Sequence, residues 1–175
     1  MDKNFNMLIV GVGGQGLITL VSILNQAAFY EGYDVRSSEL HGLSQRGGSV
    51  ETHIRFGKKI YSPLVTKPDL ILGLEILESL RAKNKAVKTT KFLVNDYILP
   101  FNNDAVPSLE GFEIVPASAV CKKEFGNEVV AGIYLLGYAI SHGLIPLKKE
   151  SVLGAIEAVV PSKHLELNIK AFNHG

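Results

Sequence analysis

The sequence predicts a three-layer α/β fold with a mostly parallel, partly mixed sheet and a helical C-terminal third. Three observations support this prediction. Near the start, a short aliphatic run is followed by a glycine-rich turn and then by a helical pattern, which predicts a strand, a turn and a helix. Residues 69–74 (DLILGL) form an apolar run typical of a strand covered on both faces. Helical spacing of apolar residues then dominates the last third. We find no repeat or linker in the 175 residues, so we expect a single domain over residues 1–175.

The first elements are predicted to form a βαβ unit. Met7 to Val10 form a strand that stops at Gly11, and residues 17–30 have the apolar spacing of a helix. Residues 33–38 form a second strand, which we expect to run parallel to the first through a right-handed crossover. This order of elements is Rossmann-like.

The middle of the chain departs from strict alternation of strands and helices. After a polar loop at 39–48, residues 50–56 alternate apolar side chains with Glu51, His53 and Arg55, so one face of this strand is expected to be buried and the other polar. Gly57-Lys58 is a plausible hairpin turn into a strand at 60–61. A β-ribbon here would make the sheet mixed.

The remaining elements follow from periodicity and from turn residues. Besides the strand at 69–74, we predict strands at 92–95 and 113–115, helices at 75–83, 117–125, 128–142, 148–160 and 164–172, and a loop at 100–111. Ser162 is the expected N-cap of the last helix.

Composition and charge exclude several classes of function. The net charge is +1 with Lys and Arg dispersed along the sequence, which argues against nucleic acid or an anionic membrane as partner. No apolar run is long enough to span a bilayer and no signal cleavage site follows the first residues, so a cytoplasmic protein is expected. Hydrophobic residues make up 46% and the mean hydropathy is +0.18. Such a surplus of apolar surface indicates a protein partner and leaves a homodimer of the isolated chain open.

The metal-binding capacity of the chain is small. Cys121 is its one cysteine, so the chain cannot hold an iron–sulfur cluster, a Cys-based zinc site or an internal disulfide by itself. The histidines lack metal-ligand spacing with other His, Asp or Glu residues. We therefore predict no metal site, and we expect Cys121 to be a half-buried core residue of a helix.

The strongest motif is a G-x-G-x-x-G turn between the first strand and the first helix. Its glycines permit positive φ and close backbone approach, and the start of a helix favours a phosphate. The predicted cofactor-binding residues of this turn are Gly11, Gly13, Gly14, Gln15 and Gly16. Glu39 stands where a dinucleotide-binding acid would be expected, so a nicotinamide cofactor stays open. The alternative is that the glycines only allow the helix and strand to pack closely.

The polar loop at residues 41–48 (HGLSQRGG) is the second motif and follows the second strand. It should face the same crevice as the glycine turn, because ligands bind at the carboxyl edge of such sheets. Arg46 could clamp a phosphate or carboxylate bidentately, and Gln45 and Ser44 could bind a polar head group. His41 could exchange a proton near neutral pH. The alternative is a structural turn whose side chains bind backbone carbonyls or a neighbouring subunit. We assign no catalytic residue.

Six further features of the sequence can be taken together with the glycine turn. The segments are VGVGGQG, SSELHGLSQRGGSVETHIRFG followed by YSPL, DLILGLE, VND, NEVVAGIYLLGYA and LELNIKAFNHG. Together they resemble a known family, the 2-oxoacid:ferredoxin oxidoreductases, over essentially the whole chain. They are most similar to the small (beta) subunit of the indolepyruvate type, and more broadly to the gamma subunit or domain. The pairing of the glycine turn with the HGLSQRGG loop is the most specific part of the likeness.

The resemblance implies a subunit that is inactive alone. The family oxidatively decarboxylates a 2-oxoacid with coenzyme A and oxidised ferredoxin, which gives an acyl-CoA, carbon dioxide and reduced ferredoxin. It implies thiamine diphosphate, Mg²⁺ and [4Fe–4S] clusters on a large partner subunit, which would also set the choice of 2-oxoacid. Coenzyme A phosphates would bind at the glycine turn, with Gln45 and Arg46 nearby.

Three other functions stay open at this point. The chain could be the gamma subunit of a pyruvate or 2-oxoglutarate ferredoxin oxidoreductase, a free-standing NAD-binding Rossmann protein, or a purely structural subunit.

Overall fold

The computed structural model describes residues 4–41, 47–97 and 108–175. Strands and helices are interspersed, without strict alternation, as far as the last strand, and only helices follow it. The elements are β1 (Phe5–Val12), α1 (Leu17–Tyr30), β2 (Asp34–His41), β3 (Ser49–Gly57), β4 (Leu70–Gly73), α2 (Ile76–Ala82), β5 (Lys91–Asn95), β6 (Phe112–Val115), α3 (Ala117–Phe125), α4 (Ala131–Ser141), α5 (Lys149–Val159) and α6 (Ser162–His174). Short 3₁₀ turns at Lys83–Lys85 and Glu128–Val130 follow α2 and precede α4.

The described strands form one mixed sheet in the order β2-β3-β1-β4-β5-β6. The neighbours β1, β4, β5 and β6 are parallel, while β3 is antiparallel to both β1 and β2. The predicted mixed sheet is therefore confirmed. β1 and β2 point in the same direction, as expected, but β3 is inserted between them, so they are not neighbours. β2 also runs to His41, beyond its predicted end, because the strand stays paired with β3 as far as His41 opposite Val50.

One hydrophobic core lies on each face of the sheet, between the sheet and the helices that cover it. On one face of the sheet, α1 and the helices of the last third pack against strand residues such as Ile9 and Leu72. On the other face, α2 packs against Val10 and Ile71. The helix after β1 therefore lies on one face of the sheet, and the helix after β4 lies on the other face. In open α/β sheets this divergence creates a crevice at the carboxyl ends of the strands, here between β1 and β4.

The prediction that only one face of β3 is buried is wrong at His53, on the polar face. His53 is only 4% exposed, although it lies on that face. The face is partly covered, from half-buried Glu51 to half-buried Arg55, and each of its polar side chains has a partner on α2, on the turn after α2 or on the segment between β3 and β4. The pairs are Ser49 with Glu78, Glu51 with Lys85, His53 with the backbone of Val65, and Arg55 with the backbone of Ser62.

The predicted hairpin into a strand at 60–61 is also wrong. Residues 58–69 form no strand and instead cross the polar face of β3 before β4 begins. Ile60 is buried and its N–H donates to Asp34 Oδ2 at 2.9 Å, while Tyr61 is 84% exposed. A hairpin strand was not formed because β3 is already paired along its length with β1 and β2.

The other predicted strands and helices are confirmed to within a few residues. The helix predicted at 128–142 starts as a 3₁₀ turn, and Ser162 is not an N-cap: it is the first residue of α6, and Pro161 occupies the cap position without a side-chain hydrogen bond. Most of the predicted loop at 100–111 lies outside the described residues. None of the described helices is long and apolar enough to cross a membrane.

Candidate ligand site at the carboxyl edge of the sheet

The glycine turn lies between the end of β1 and the start of α1. Gly14 has φ 102° and Gly16 has φ 79°, values that favour glycine over residues with a side chain. Gly16 is the N-cap residue of α1, and no side chain caps this helix. The first N–H groups of α1 and its dipole therefore favour an anionic ligand at this end.

Gln15 holds this turn against the neighbouring strand. Its Oε1 accepts a hydrogen bond from the N–H of Val12 at 2.9 Å, and its Nε2 donates to the carbonyl of Leu74, just beyond β4, at 3.2 Å. A Cβ at position 11 would lie 2.6 Å from Gln15 Oε1 and 3.1 Å from the Cβ of Leu74, so a side chain there would displace the Gln15 amide. Both ends of the amide are thus engaged within the protein. Gln15 was predicted to contact a ligand, and these bonds fix the orientation of its amide.

The two predicted motif loops meet at this edge. The N–H of Gly13 donates to the carbonyl of Gly48 at 2.9 Å, and the N–H of Gly47 to the carbonyl of Gly13 at 3.4 Å. The end of the HGLSQRGG loop is therefore fastened to the glycine turn. The backbone of His41 ends β2 at the same edge. Ser44, Gln45 and Arg46 lie outside the described residues.

Asn95 lines the candidate site but was not predicted from the sequence. It ends β5, is 2% exposed, and its Nδ2 donates to Leu74 O at 3.2 Å and to Ser118 Oγ at 2.8 Å. The N–H of Ser118 donates to Asn95 Oδ1 at 3.0 Å. Leu74 O thus accepts from Gln15 and from Asn95, which joins the carboxyl ends of β1, β4 and β5 to the start of α3. The available signal was the polar pair Asn95-Asp96 directly after an apolar strand.

Two adjoining cavities open beside this network. The first has a volume of about 180 Å³ and is lined by Gly14, Gln15, Leu74, Asn95, Tyr97, Ser118, Glu128, Val129, Ala131 and Gly132. The second, of about 390 Å³, shares Gln15, Val129 and Gly132 with the first and extends between α1, α4 and α6. Together they have the size and mixed polarity of a small-molecule site. The sequence could not show the second cavity, because its walls come from helices far apart in the chain.

Glu39 does not have the position that a dinucleotide-binding acid requires. It is exposed on β2 and pairs with Thr52 of β3, so one strand separates it from β1. Two strand spacings correspond to about 10 Å, and Glu39 lines neither cavity. The insertion of β3 therefore removes the geometric basis for nicotinamide binding.

The thiol of Cys121 is unreactive at neutral pH, and the described residues contain no metal-binding cluster. Cys121 is fully buried, more than predicted, and desolvation raises the pKa of its thiol to about 11, so it stays protonated at neutral pH. Within residues 4–41, 47–97 and 108–175, no cluster of three or more His, Cys, Asp and Glu side chains could hold a metal ion. The cavities and backbone N–H groups described at this edge are suited to binding a ligand.

An open α/β sheet with a glycine turn and two cavities at its carboxyl edge places the chain in the doubly wound class of α/β folds, in which ligands commonly bind at this edge. Residues 6–175 match the sequence model of the family described as pyruvate ferredoxin/flavodoxin oxidoreductase. The chain belongs to this family, as the resemblance of its motifs predicted.

Individual relatives agree with this assignment. Indolepyruvate oxidoreductase subunit IorB of Pyrococcus horikoshii is 35% identical over 99% of this chain and 95% of its own length. Three further archaeal relatives of that name are 31–33% identical. The keto/oxoacid ferredoxin oxidoreductase gamma subunit of Geobacter sulfurreducens has a similar structure, with a TM-score of 0.76 and 25% identity over 97% of this chain and 95% of its own.

A longer chain contains the same fold as one part. The 2-oxoglutarate:ferredoxin oxidoreductase of Magnetococcus marinus, solved with 2-oxoglutarate, coenzyme A and succinyl-CoA bound, has a TM-score of 0.78 at 20% identity. The match covers 99% of this chain and 30% of that one. The relatives above are named as subunits, so a larger partner subunit is implied for this chain.

Proposed function

We propose that this chain is the small subunit of a thiamine diphosphate-dependent indolepyruvate or arylpyruvate ferredoxin oxidoreductase. The enzyme would convert a 2-oxoacid, coenzyme A and oxidised ferredoxin to an acyl-CoA, carbon dioxide and reduced ferredoxin. The observation that supports it best is the 31–35% identity with four relatives named as subunits of indolepyruvate oxidoreductase. As part of the proposal, the chain is a single domain and works in the cytoplasm.

The proposal assigns the redox chemistry to the larger partner. A [4Fe–4S] cluster needs several thiolate ligands, and this chain has one cysteine, which is buried. Thiamine diphosphate, Mg²⁺ and the clusters are therefore assigned to the partner subunit, and reduced ferredoxin would leave from the assembled complex. The small subunit contributes a binding surface next to the reacting groups.

We further propose that this surface binds the phosphates of coenzyme A. The uncapped start of α1 supplies N–H groups, and the adjoining cavities offer room for the rest of the molecule. In the sequence, Ser44, Gln45 and Arg46 directly precede Gly47 and Gly48, whose backbone bonds to Gly13 of the turn. A guanidinium there would form charge-assisted hydrogen bonds with a phosphate.

The effect of Arg46→Ala on the two-chain enzyme tests the ligand site. We expect the KM for coenzyme A to rise about tenfold or more, because a charge-assisted bond is lost, while kcat changes little. Arg36→Ala is the matched control, since Arg36 is an exposed arginine on β2. An unchanged KM and turnover in the Arg46 variant would instead favour a purely structural subunit.

The need for a partner is tested by assaying the isolated chain for arylpyruvate oxidation with ferredoxin and coenzyme A. We expect no turnover until the large subunit is added. Turnover by this chain alone would contradict the proposed function.

A further inference from the structure

The net charge of +1 conceals a strong segregation of charge along the chain. Residues 58–91 contain eight of the 18 Lys and Arg residues but only three of the 17 Asp and Glu residues. Those three, Asp69, Glu75 and Glu78, are buried or half-buried. The surface contributed by this segment is therefore basic, and the dispersed distribution predicted from the sequence does not hold here.

Two loops bring these charges together at the amino edge of the sheet, opposite the glycine turn. The loop before β4 and the loop before β5 are in contact, because Thr90 Oγ1 donates to Pro68 O at 2.7 Å and the N–H of Lys91 to Asp69 O at 3.0 Å. We call this surface the amino-edge patch; it consists of Lys58, Lys59, Lys67, Lys88 and Lys91 with Tyr61 and Leu64. All seven side chains are exposed, and none of the five lysines pairs with a carboxylate in the described parts of the chain.

Tyr61 and Leu64, which we call the apolar centre of the patch, lie on a loop that hydrogen bonds to β3 hold in place. Tyr61 is 84% exposed and Leu64 is 52% exposed, and Lys59 Nζ lies 5.1 Å from the Tyr61 ring centroid. Arg55 Nη1 donates to Ser62 O at 2.9 Å, between these two residues. Val65, the residue after Leu64, is buried, and its N–H donates to a side chain of β3. A loop fixed in this way loses little conformational freedom on binding.

We infer that the amino-edge patch is a docking surface for the larger partner subunit and binds an acidic face of that subunit. Tyr61 and Leu64 stand in the sequence between Lys58-Lys59 and Lys67, so two exposed apolar side chains are flanked by lysines. An apolar centre with a polar rim is the usual anatomy of a protein interface. Complementary charge on the partner is expected because the five lysines pair with no carboxylate of the described residues, and residues 58–91 contain no exposed carboxylate. The patch contains no arginine, the residue that binds nucleic acid phosphates and bases bidentately. The inference rests on the proposed function, since it requires that partner.

Charge reversal in the patch tests the electrostatic part. The association rate between this chain and the large subunit of the same enzyme is measured by biolayer interferometry at increasing salt concentration. We expect Lys67→Glu/Lys88→Glu to slow association about tenfold at low salt, with a difference that shrinks as salt screens the charges. Lys122→Glu/Lys170→Glu, which reverses two exposed lysines on α3 and α6, should associate like the wild type.

Truncation of the apolar centre tests the contact itself. We expect Tyr61→Ala to raise the dissociation rate about tenfold and to leave the association rate nearly unchanged, because tyrosine anchors act mainly on dissociation. Phe29→Ala is the matched control, since Phe29 is an exposed aromatic residue on α1 at 66% exposure. Thermal unfolding of each variant confirms that it folds.

The outcomes separate this inference from the proposed function. If the wild-type chain does not associate with the large subunit, the proposed function fails and the inference fails with it. If patch and control variants associate equally well, the inference alone is overturned. It is also overturned if Lys67→Glu/Lys88→Glu abolishes binding to duplex DNA, to phosphatidylglycerol vesicles or to a second copy while subunit association stays normal.

Discussion

The two halves of the sheet are stabilised in different ways. In the parallel half, every residue of β4 is buried and its side chains meet apolar side chains on both faces. In the antiparallel half, one face of β3 carries Ser49, Glu51, His53 and Arg55, each held by a specific hydrogen-bonding partner. Apolar packing is non-directional and tolerates exchange of similar side chains, whereas a buried polar contact depends on one geometry. The halves should therefore respond differently to substitution.

The largest effect is expected from truncation in the parallel half. Leu72 is fully buried in β4, so Leu72→Ala should lower the free energy of unfolding by about 3–4 kcal/mol through lost burial and a residual cavity. The measurement is urea unfolding of the wild type and the variant. Leu40→Ala on β2, where the side chain is 50% exposed, should cost less than about 0.5 kcal/mol. Equal losses in the free energy of unfolding at both positions would contradict the expectation that apolar burial stabilises the parallel half.

The parallel half could be predicted because its signals are local. The run at 69–74 is apolar whichever residues cover it, and the glycine turn is recognised between a strand and a helix within a few positions. The meeting of the two motif loops also followed from a general rule, that such loops share the carboxyl edge. These features needed no knowledge of distant contacts.

The antiparallel half and the cavities could not be predicted in the same way. Alternation in β3 indicated one polar face but not what covers it, because its partners, such as Lys85 for Glu51 and Val65 for His53, are distant in the sequence. Asn95 and Ser118 likewise meet only through the tertiary fold. The cover of a polar strand face, and the walls of a cavity between helices, are properties of packing that periodicity does not encode.

His53 should show the geometric dependence of the antiparallel half. The N–H of Val65 donates to Nδ1 at 2.9 Å, so the ring proton lies on Nε2, which donates to Glu51 Oε1 at 2.8 Å. His53→Leu removes both bonds and leaves a buried N–H unpaired, so we expect a loss of about 2–3 kcal/mol in urea unfolding.

Two conservative variants separate these bonds. The amide oxygen of His53→Asn stands near Nδ1 and can still accept from Val65, whereas the amide nitrogen of His53→Gln stands near Nε2 and can still donate to Glu51. Each should lie between the wild type and His53→Leu in stability. If His53→Leu were as stable as the wild type, apolar packing would account for this half too.

The smallest effect is expected from protonation of Glu51. Its hydrogen bond with His53, together with Lys85, lowers the pKa of this carboxyl from 4.5 to about 2 in the folded chain. A carboxyl with a lowered folded pKa stabilises the fold above its unfolded pKa, and this contribution is lost as pH falls from about 4.5 toward 2. The stability advantage of the wild type over Glu51→Gln, about 2 kcal/mol at pH 7, should therefore shrink over that interval in urea unfolding. Lys85→Gln keeps the histidine and removes the cation, so its pH dependence should be weaker than that of the wild type. An advantage that stays constant from neutral pH to pH 3 would show that the charge of Glu51 does not stabilise β3, and that neutral hydrogen bonds alone hold its polar face.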